Sequence, residues 1–552
     1  MGTLLGHYTA HTDTFARDNL PPQDQWPTFL LDRPEFQYPE RLNCAVELLD
    51  KAIDKGWGNR PCLRTPRETW SYAHLKAQTD RIAHVLVDDL GLKPGNRVLL
   101  RSANNPMMVA CWFAVAKAGG VVVATMPLLR AKELGVIIEK AEISLALCDE
   151  RLIEEMEGAK AASPHLDRIC AFNGSGEPGA AAELESLMRG KPTAFDPVET
   201  AADDVVLIAF TSGTTGKPKG TMHFHRDVMA ICDAAPPHCL RVQAKDVFIG
   251  SPPLAFTFGL GGLVLFPMRF GASTVLLEKA SPPALLDAIP EFGATTLFTA
   301  PTAYRALMTA VEEAAPHKGD ALKSLRNCVS AGETLPKATF EAWKQMTGIA
   351  CIDGLGSTEM LHIFIAAPPE KMRGGATGYP MPGYEAKIVD DDMNELPVGE
   401  VGRLAVRGPT GCRYLADDRQ KVYVRDGWNL TGDAYSMDED GYFLFAARAD
   451  DMIISAGYNI AGPEVEDCLL EHAGVAECAV VGVPSDDRGT VVKAYIVPRP
   501  GYERGPALAE EMQNFVKSRI APYKYPREIE FVDVLPKTET GKIQRFKLRE
   551  GP

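Results

Sequence analysis

Val205-Val206-Leu207-Ile208-Ala209-Phe210 runs directly into Thr211-Ser212-Gly213-Thr214-Thr215-Gly216-Lys217-Pro218-Lys219-Gly220. The first six residues are apolar and rich in β-branched side chains, which predicts a buried strand. The ten that follow combine small hydroxyl residues, glycines and two lysines. There, backbone N–H groups and hydroxyls can converge on phosphate oxygens while the ammonium groups supply positive charge. The stretch is not a Walker A loop: two residues, not four, separate Gly213 from Gly216, and Pro218 follows the lysine.

Outward from this stretch the same rhythm repeats. Val98-Leu99-Leu100, Val121 to Ala124, Thr274 to Leu277 and Thr296 to Phe298 alternate with longer helical patterns. Such alternation predicts mostly parallel sheet covered by helices. From about Glu385 short strands and turns take over, at Pro397-Val398-Gly399 and Asp438 to Gly441, and predict a β subdomain. After Arg448-Ala449-Asp450-Asp451 comes a compact α+β pattern. It consists of strand Met452 to Ser455, helix Pro463 to Leu470, strands Ala479 to Val483 and Val492 to Val497, and helix Ala507 to Ile520. The expected fold class is therefore α/β, with two α/β subdomains and a β subdomain in a large N-terminal region at 1–448. A hinge at 449–450 and a small mobile α+β C-terminal domain at 451–552 complete it.

Composition narrows the function. Among 552 residues, 58 Lys+Arg against 73 Asp+Glu leave a net charge of −15, which disfavours nucleic acid as a partner. The 12 cysteines form no CxxC pair, so neither a zinc ribbon nor a disulfide framework is expected, and a reducing, cytoplasmic setting fits. The opening MGTLLGHYTAHTD has no basic region leading into an apolar one, and Gly6 stands where a myristoylation signal wants Ser or Thr. Met107 to Leu129 is long enough to span a bilayer, with Lys117 as its one charge. Asn105-Pro106 starts a helix there, Gly119-Gly120 stops it, and Val121 to Val123 reads as a strand, so a buried helix and strand are expected rather than a membrane span. His223 and His225 have no third ligand with them, and no transition-metal site is expected.

With the loop at 211–220 as its first signature, the chain resembles the adenylate-forming superfamily of acyl-CoA synthetases, peptide-synthetase adenylation domains and luciferases. Its other signatures occur in order. The resemblance implies that the loop from Thr211 to Lys217, with Lys219, holds ATP phosphates. Ser330-Ala331-Gly332-Glu333 resembles the adenine-lining loop. Asp353-Gly354-Leu355-Gly356-Ser357-Thr358-Glu359 is similar to the second nucleotide motif, which implies phosphate contact for Thr358 and a Mg²⁺ ligand in Glu359. One glutamate suffices for a hard cation that leaves most of its shell to phosphate and water. Leu355 stands where many members have an aromatic residue. Asp433 is implied as the acceptor of both ribose hydroxyls and Arg448 as a second ribose or phosphate contact, with Ala447 replacing the usual glycine before it. Ser455-Ala456-Gly457-Tyr458-Asn459-Ile460 resembles the loop lining the thiol acceptor's tunnel. Pro536 to Arg545 resembles the closing motif, with Lys542 as catalytic lysine, and Asp450 matches the hinge. An ammonium group between carboxylate and α-phosphate neutralises the oxyanion that develops as two anions meet.

Phe256-Thr257-Phe258-Gly259 lies in a glycine-rich stretch that suits a flat slot for an aromatic ring, although either phenylalanine alone reads as ordinary core. With the run from Gly354 through His362 to Phe364, it is similar to the benzoate-CoA ligase branch. That implies a pocket role for His362, and Thr257 is a candidate partner for an ortho substituent. Leu20-Pro21-Pro22, Gln25-Trp26-Pro27 and Tyr38 to Asn43 resemble 2-aminobenzoate-CoA ligases within that branch. The expected activity joins an aromatic carboxylate to coenzyme A at the expense of ATP, through an aryl-adenylate, in a monomer or homodimer. The alternatives are an adenylation enzyme loading a carrier protein, a medium-chain acyl-CoA synthetase, and a nucleotide sensor without catalysis.

Overall fold

The structure is a computed structural model that describes every residue except 1–5, 7, 177–178, 180, 212–217, 314–319, 449–450, 452, 456–457, 486–488, 521–523, 538–542 and 550–552. The strand expected ahead of the phosphate loop forms over Val205–Thr211, in a six-stranded sheet. Across that sheet the order is Arg168–Phe172, Leu145–Asp149, Arg97–Arg101, Val121–Thr125, Val205–Thr211 and Lys219–Phe224. All neighbours are parallel except the last pair. A seven-stranded sheet runs Ile352–Asp353, Asn327–Ser330, Thr296–Thr299, Val247–Gly250, Ser273–Val275, Pro61–Arg64, Thr69–Ser71, again antiparallel only at its last pair. The strand expected at Thr274 to Leu277 ends at Val275, and Leu276 and Leu277 line a cavity beyond it.

The membrane-like stretch is core. Asn105 caps the helix Pro106–Lys117, accepting the Met108 N–H at 2.9 Å, and Gly119 turns the chain at φ +75°. Nearly every residue of this helix is buried between the sheets and their covering helices. Lys117 is fully buried but paired, with Asp50 at 2.6 Å and Asp80 at 2.5 Å, as a buried charge must be. Among the described residues, no helix is long and apolar enough to cross a membrane.

The expected β subdomain is an antiparallel sheet of Glu385–Val389, Gly402–Arg407 and Trp428–Met437, extended by Val424–Arg425 and Phe443–Arg448. Beyond it, Val475–Ser485 and Gly489–Pro498 form a long antiparallel ribbon joined in parallel by Glu528–Phe531. With helices Gly462–Leu470 and Pro506–Arg519 it encloses its own core around Val465, Leu469, Val480, Val492 and Met512. The ribbon is longer than its apolar runs, because hairpin hydrogen bonds carry the ladder past them. The strand expected at Met452 to Ser455 forms over Ile453–Ser455; its hairpin partner Tyr458–Ile460 and the strand Glu528–Phe531 add to the predicted pattern.

Candidate active site

The antiparallel turn after Val205–Thr211 returns the chain along Lys219–Phe224, and strand alternation puts Lys219, Thr221 and His223 on one face. The segment from Arg413 to Leu415 pairs along this edge. Met222 N–H donates to the Arg413 carbonyl at 2.7 Å, and Leu415 N–H to the Gly220 carbonyl at 2.8 Å. That register sets Tyr414 opposite Thr221. Lys219 Nζ then lies 2.8 Å from the Tyr414 hydroxyl and 3.4 Å from Glu359 Oε1, and the Tyr414 hydroxyl donates to the same Oε1 at 2.5 Å. Glu359 is 7% exposed, so its charge rests on these two partners.

Two further groups fix the loop that carries Glu359. His223 Nε2 lies 2.8 Å from the Thr358 carbonyl, and burial pushes the imidazole down to about 4. A neutral ring facing a carbonyl must carry its proton on Nε2, so His223 donates. Arg413 is fully buried against Asp227, with its guanidinium 4.0 Å over the Phe224 ring. Ser357 Oγ accepts the Met360 N–H at 3.2 Å and lies 3.4 Å from the Tyr423 hydroxyl. No local motif marks Tyr414, Tyr423, Arg413 or the role of His223.

The ends of Asn327–Ser330 and Ile352–Asp353 open into a cavity of about 260 Å³. Gly332, Glu333, Asp353, Gly354, Leu355, Gly356 and Asp433 line it; Ala331 is buried beside them in sequence but is not part of the lining. Glycine is needed at two places. A Cβ on Gly354 would meet Ile363 Cδ1 at 2.4 Å, and one on Gly356 would meet the His362 backbone at 2.9 Å. Asp433 lies opposite Arg448 in the strand register, and its N–H donates to Thr431 Oγ1 at 3.2 Å.

The C-terminal region supplies the facing wall, including Gly462, Glu466, Asp467, Lys537, Ile543 and Arg545. Arg545 grips Glu466 at 2.7 and 2.9 Å, and Lys537 pairs with Glu477 at 2.6 Å. Burial pushes the Asp353 carboxyl up to about 8. Asp467 rises to about 7, through burial and then the neighbouring Glu466, Glu471 and Glu464.

The acyl candidates gather elsewhere. Phe256 is extended and precedes the short helix Thr257–Leu260, whose first turn closes with Leu260 N–H donating to the Phe256 carbonyl at 2.8 Å. Gly259 is packed so tightly that a Cβ would lie 2.1 Å from the Pro253 carbonyl oxygen. Leu361 takes φ +71°, a strained conformation for a branched side chain, and directs the chain into His362. His362 is buried, its ring centre 4.4 Å from Phe266, 5.8 Å from Phe258 and 6.5 Å from Phe298, and its Nε2 3.4 Å from the Phe258 carbonyl. Burial pushes it down to about 3, so it is neutral. Its Nδ1 is buried with no hydrogen-bond partner among the described residues. None of Phe256, Thr257, Phe258, Gly259 and His362 lines the 260 Å³ cavity; the tight packing of Gly356 on the His362 backbone joins the two regions.

Several expected site residues lie outside the described residues: Ser212, Gly213, Thr214, Thr215, Gly216, Lys217, Asp450, Gly457 and Lys542. The Arg448 side chain lies outside them too.

The chain matches the AMP-binding enzyme family over residues 50–414 and the AMP-binding enzyme C-terminal domain over residues 464–542. It is 33% identical to the benzoate–CoA ligase of Thauera aromatica, over 94% of this chain and 98% of that protein. It is 32% identical to the 4-hydroxybenzoate–CoA/benzoate–CoA ligase of Rhodopseudomonas palustris, over 92% and 94% of the two chains. The crystal structure of the anthranilate CoA ligase AuaEII in complex with anthranoyl-AMP superposes with a TM-score of 0.87 at 33% identity, covering 94% of this chain and 98% of that one. Together with the site's geometry, these similarities place the chain in the AMP-binding enzyme family, the adenylate-forming superfamily, as an AMP-forming acid–thiol ligase of the benzoate-CoA ligase branch that uses ATP and coenzyme A.

Proposed function

We propose that this aryl-CoA ligase takes 2-aminobenzoate as its acid. The observation that carries the reading is His362, a neutral imidazole among Phe258, Phe266 and Phe298 whose Nδ1 is a buried acceptor without a donor among the described residues. An ortho amino group supplies such a donor; unsubstituted benzoate does not. The similarity to a ligase crystallised with anthranoyl-AMP supports the same reading.

Chemistry proceeds in two steps at one site. Hydroxide is a poor leaving group, so the carboxylate oxygen first attacks the α-phosphorus of ATP, displacing pyrophosphate and giving a mixed anhydride. The thiol of coenzyme A then attacks the carbonyl carbon, and AMP leaves. In this reading the loop 211–217 with Lys219 binds phosphates, Gly332, Glu333 and Asp353 to Gly356 hold the adenine, and Asp433 with Arg448 holds the ribose. Lys542 neutralises charge in the first step. The domain at 451–552 turns about Asp450 so that the Gly457 loop serves the second.

Glu359 fits the expected Mg²⁺. Its carboxylate is fixed from one side by Tyr414 and Lys219, and among the described residues no cluster of three His, Cys, Asp or Glu forms an all-protein cage. That suits an ion shared with phosphates and water, which would supply charge neutralisation on the triphosphate. The 12 buried, unbridged cysteines support a cytoplasmic setting.

Acid-dependent ATP–pyrophosphate exchange over benzoate, 2-aminobenzoate and short aliphatic acids tests the substrate. The expected order puts 2-aminobenzoate first by kcat/KM. Thr257→Val probes the ortho contact: a preference between 2-aminobenzoate and benzoate that does not move removes Thr257 from that role.

A further inference from the structure

The carboxyl ends of strands from both α/β sheets enclose a second cavity of about 860 Å³, which shares no lining residue with the 260 Å³ cavity. Thr65, Asn104 and Leu276, from the segments that leave Pro61–Arg64, Arg97–Arg101 and Ser273–Val275, form its walls. Crevices at strand carboxyl ends are where open α/β sheets take ligands, and this volume falls in the range of small-molecule pockets.

Its chemistry is cationic. Arg81 and Lys279 line the cavity, and neither makes an ion pair or side-chain hydrogen bond among the described residues. Arg81 Nε is buried without a partner among them. Among the described residues, three carboxylates lie on the wall, and each is held by a partner. Glu68 accepts from Trp70 Nε1 at 2.7 Å, Glu185 accepts the backbone N–H of Asn173 at 2.7 Å and of Ala182 at 3.0 Å, and Glu278 pairs with Arg151 at 2.7 Å. Arg67 and Arg189 line it as well, so the described lining carries four cations against those three carboxylates. Trp70 and His74, ring centres 4.7 Å apart, add an aromatic wall. Guanidinium and ammonium groups beside aromatic rings suit a phosphate-bearing molecule with a planar base.

The cavity also reaches the acyl loop. Asn104 lines it and clamps the residues ahead of Phe256, with Nδ2 donating to the Pro252 carbonyl at 3.0 Å and Oδ1 accepting the Leu254 N–H at 2.9 Å. An occupant that moves Asn104 moves that loop, and coupling of two sites is reciprocal.

We propose that this cavity is a regulatory site for a nucleoside phosphate, bound through Arg81 and Lys279 and coupled to acid binding through Asn104. The test starts from full-length enzyme whose nucleotide site is filled with benzoyl-sulfamoyl-adenosine, a non-hydrolysable adenylate mimic. GTP and adenosine 3′,5′-bisphosphate are then titrated calorimetrically. One further equivalent of at least one probe is expected to bind, weakened tenfold or more by Arg81→Ala and by Lys279→Ala. GTP binding assigns a free nucleotide as the source, and bisphosphate binding assigns the nucleotide end of coenzyme A. Lys279 is exposed, so its variant separates lost binding from lost folding. The bound probe is also expected to shift the KM for benzoate at least twofold in the wild type and not in Arg81→Ala. Absence of binding by both probes, binding that both variants leave intact, or binding with an unmoved KM overturns the proposal.

Discussion

Tyr414→Phe removes one oxygen atom from the centre of the site and leaves the ring in place. In the wild type that hydroxyl donates to Glu359 Oε1 at 2.5 Å and takes the Lys219 ammonium at 2.8 Å. Both partners are charged and Glu359 is 7% exposed, so little water is at hand to replace the bond. A hydrogen bond to a charged group contributes about 1.5–3 kcal/mol. If the bond serves to hold Glu359 and Lys219 against the triphosphate, its loss raises the barrier by that amount. At about 1.4 kcal/mol per factor of ten, adenylation slows by roughly 10- to 150-fold. Benzoate-dependent ATP–pyrophosphate exchange reads this directly, with a thermal melt showing that the variant is folded. Because the groups act as a unit, adding Tyr414→Phe to Glu359→Gln is expected to cost much less than it does alone. A folded Tyr414→Phe enzyme exchanging within twofold of the wild type would refute the reasoning.

Two other predictions concern charge. Burial raises Asp353 from 3.8 to about 8, so its protonated form is favoured in the fold; the stability this confers is complete below about pH 4 and is lost as pH rises through 8. The melting temperature of the wild type should therefore fall from pH 5 to 8 more steeply than that of Asp353→Asn, and identical slopes would contradict it. Lys542→Ala should cripple acid-dependent exchange while sparing thiolysis of a supplied aryl-adenylate by coenzyme A; equal loss of both half-reactions would sink the proposed division of labour.

The parts of the site that are continuous along the chain are legible in the order of the amino acids. Val205 to Phe210 reads as a strand because its apolar run is local, and the glycines at Gly354 and Gly356 stand where the fold leaves no room for a side chain. Tyr414 is not legible in this way. It reaches Lys219 across 195 positions through a single edge register, and nothing around Gly411-Cys412-Arg413 announces that pairing. His223 reads in sequence as a ligand lacking companions; its function of donating to the Thr358 carbonyl depends on a loop 135 residues away. The same holds for His362, whose apolar neighbours along the chain suit core and pocket alike. Only the fold brings Phe258, Phe266 and Phe298 around it. The strand Glu528–Phe531 joins the C-terminal ribbon in parallel, a long-range pairing with no turn to signal it.

The most direct test of the central claim is to incubate the enzyme with ATP, Mg²⁺, coenzyme A and either benzoate or 2-aminobenzoate, and to identify the products by mass. Stoichiometric aryl-CoA, AMP and pyrophosphate are predicted, with 2-aminobenzoate the better substrate by kcat/KM. Exchange of pyrophosphate without any CoA thioester, or no acid-dependent exchange at all, would contradict it.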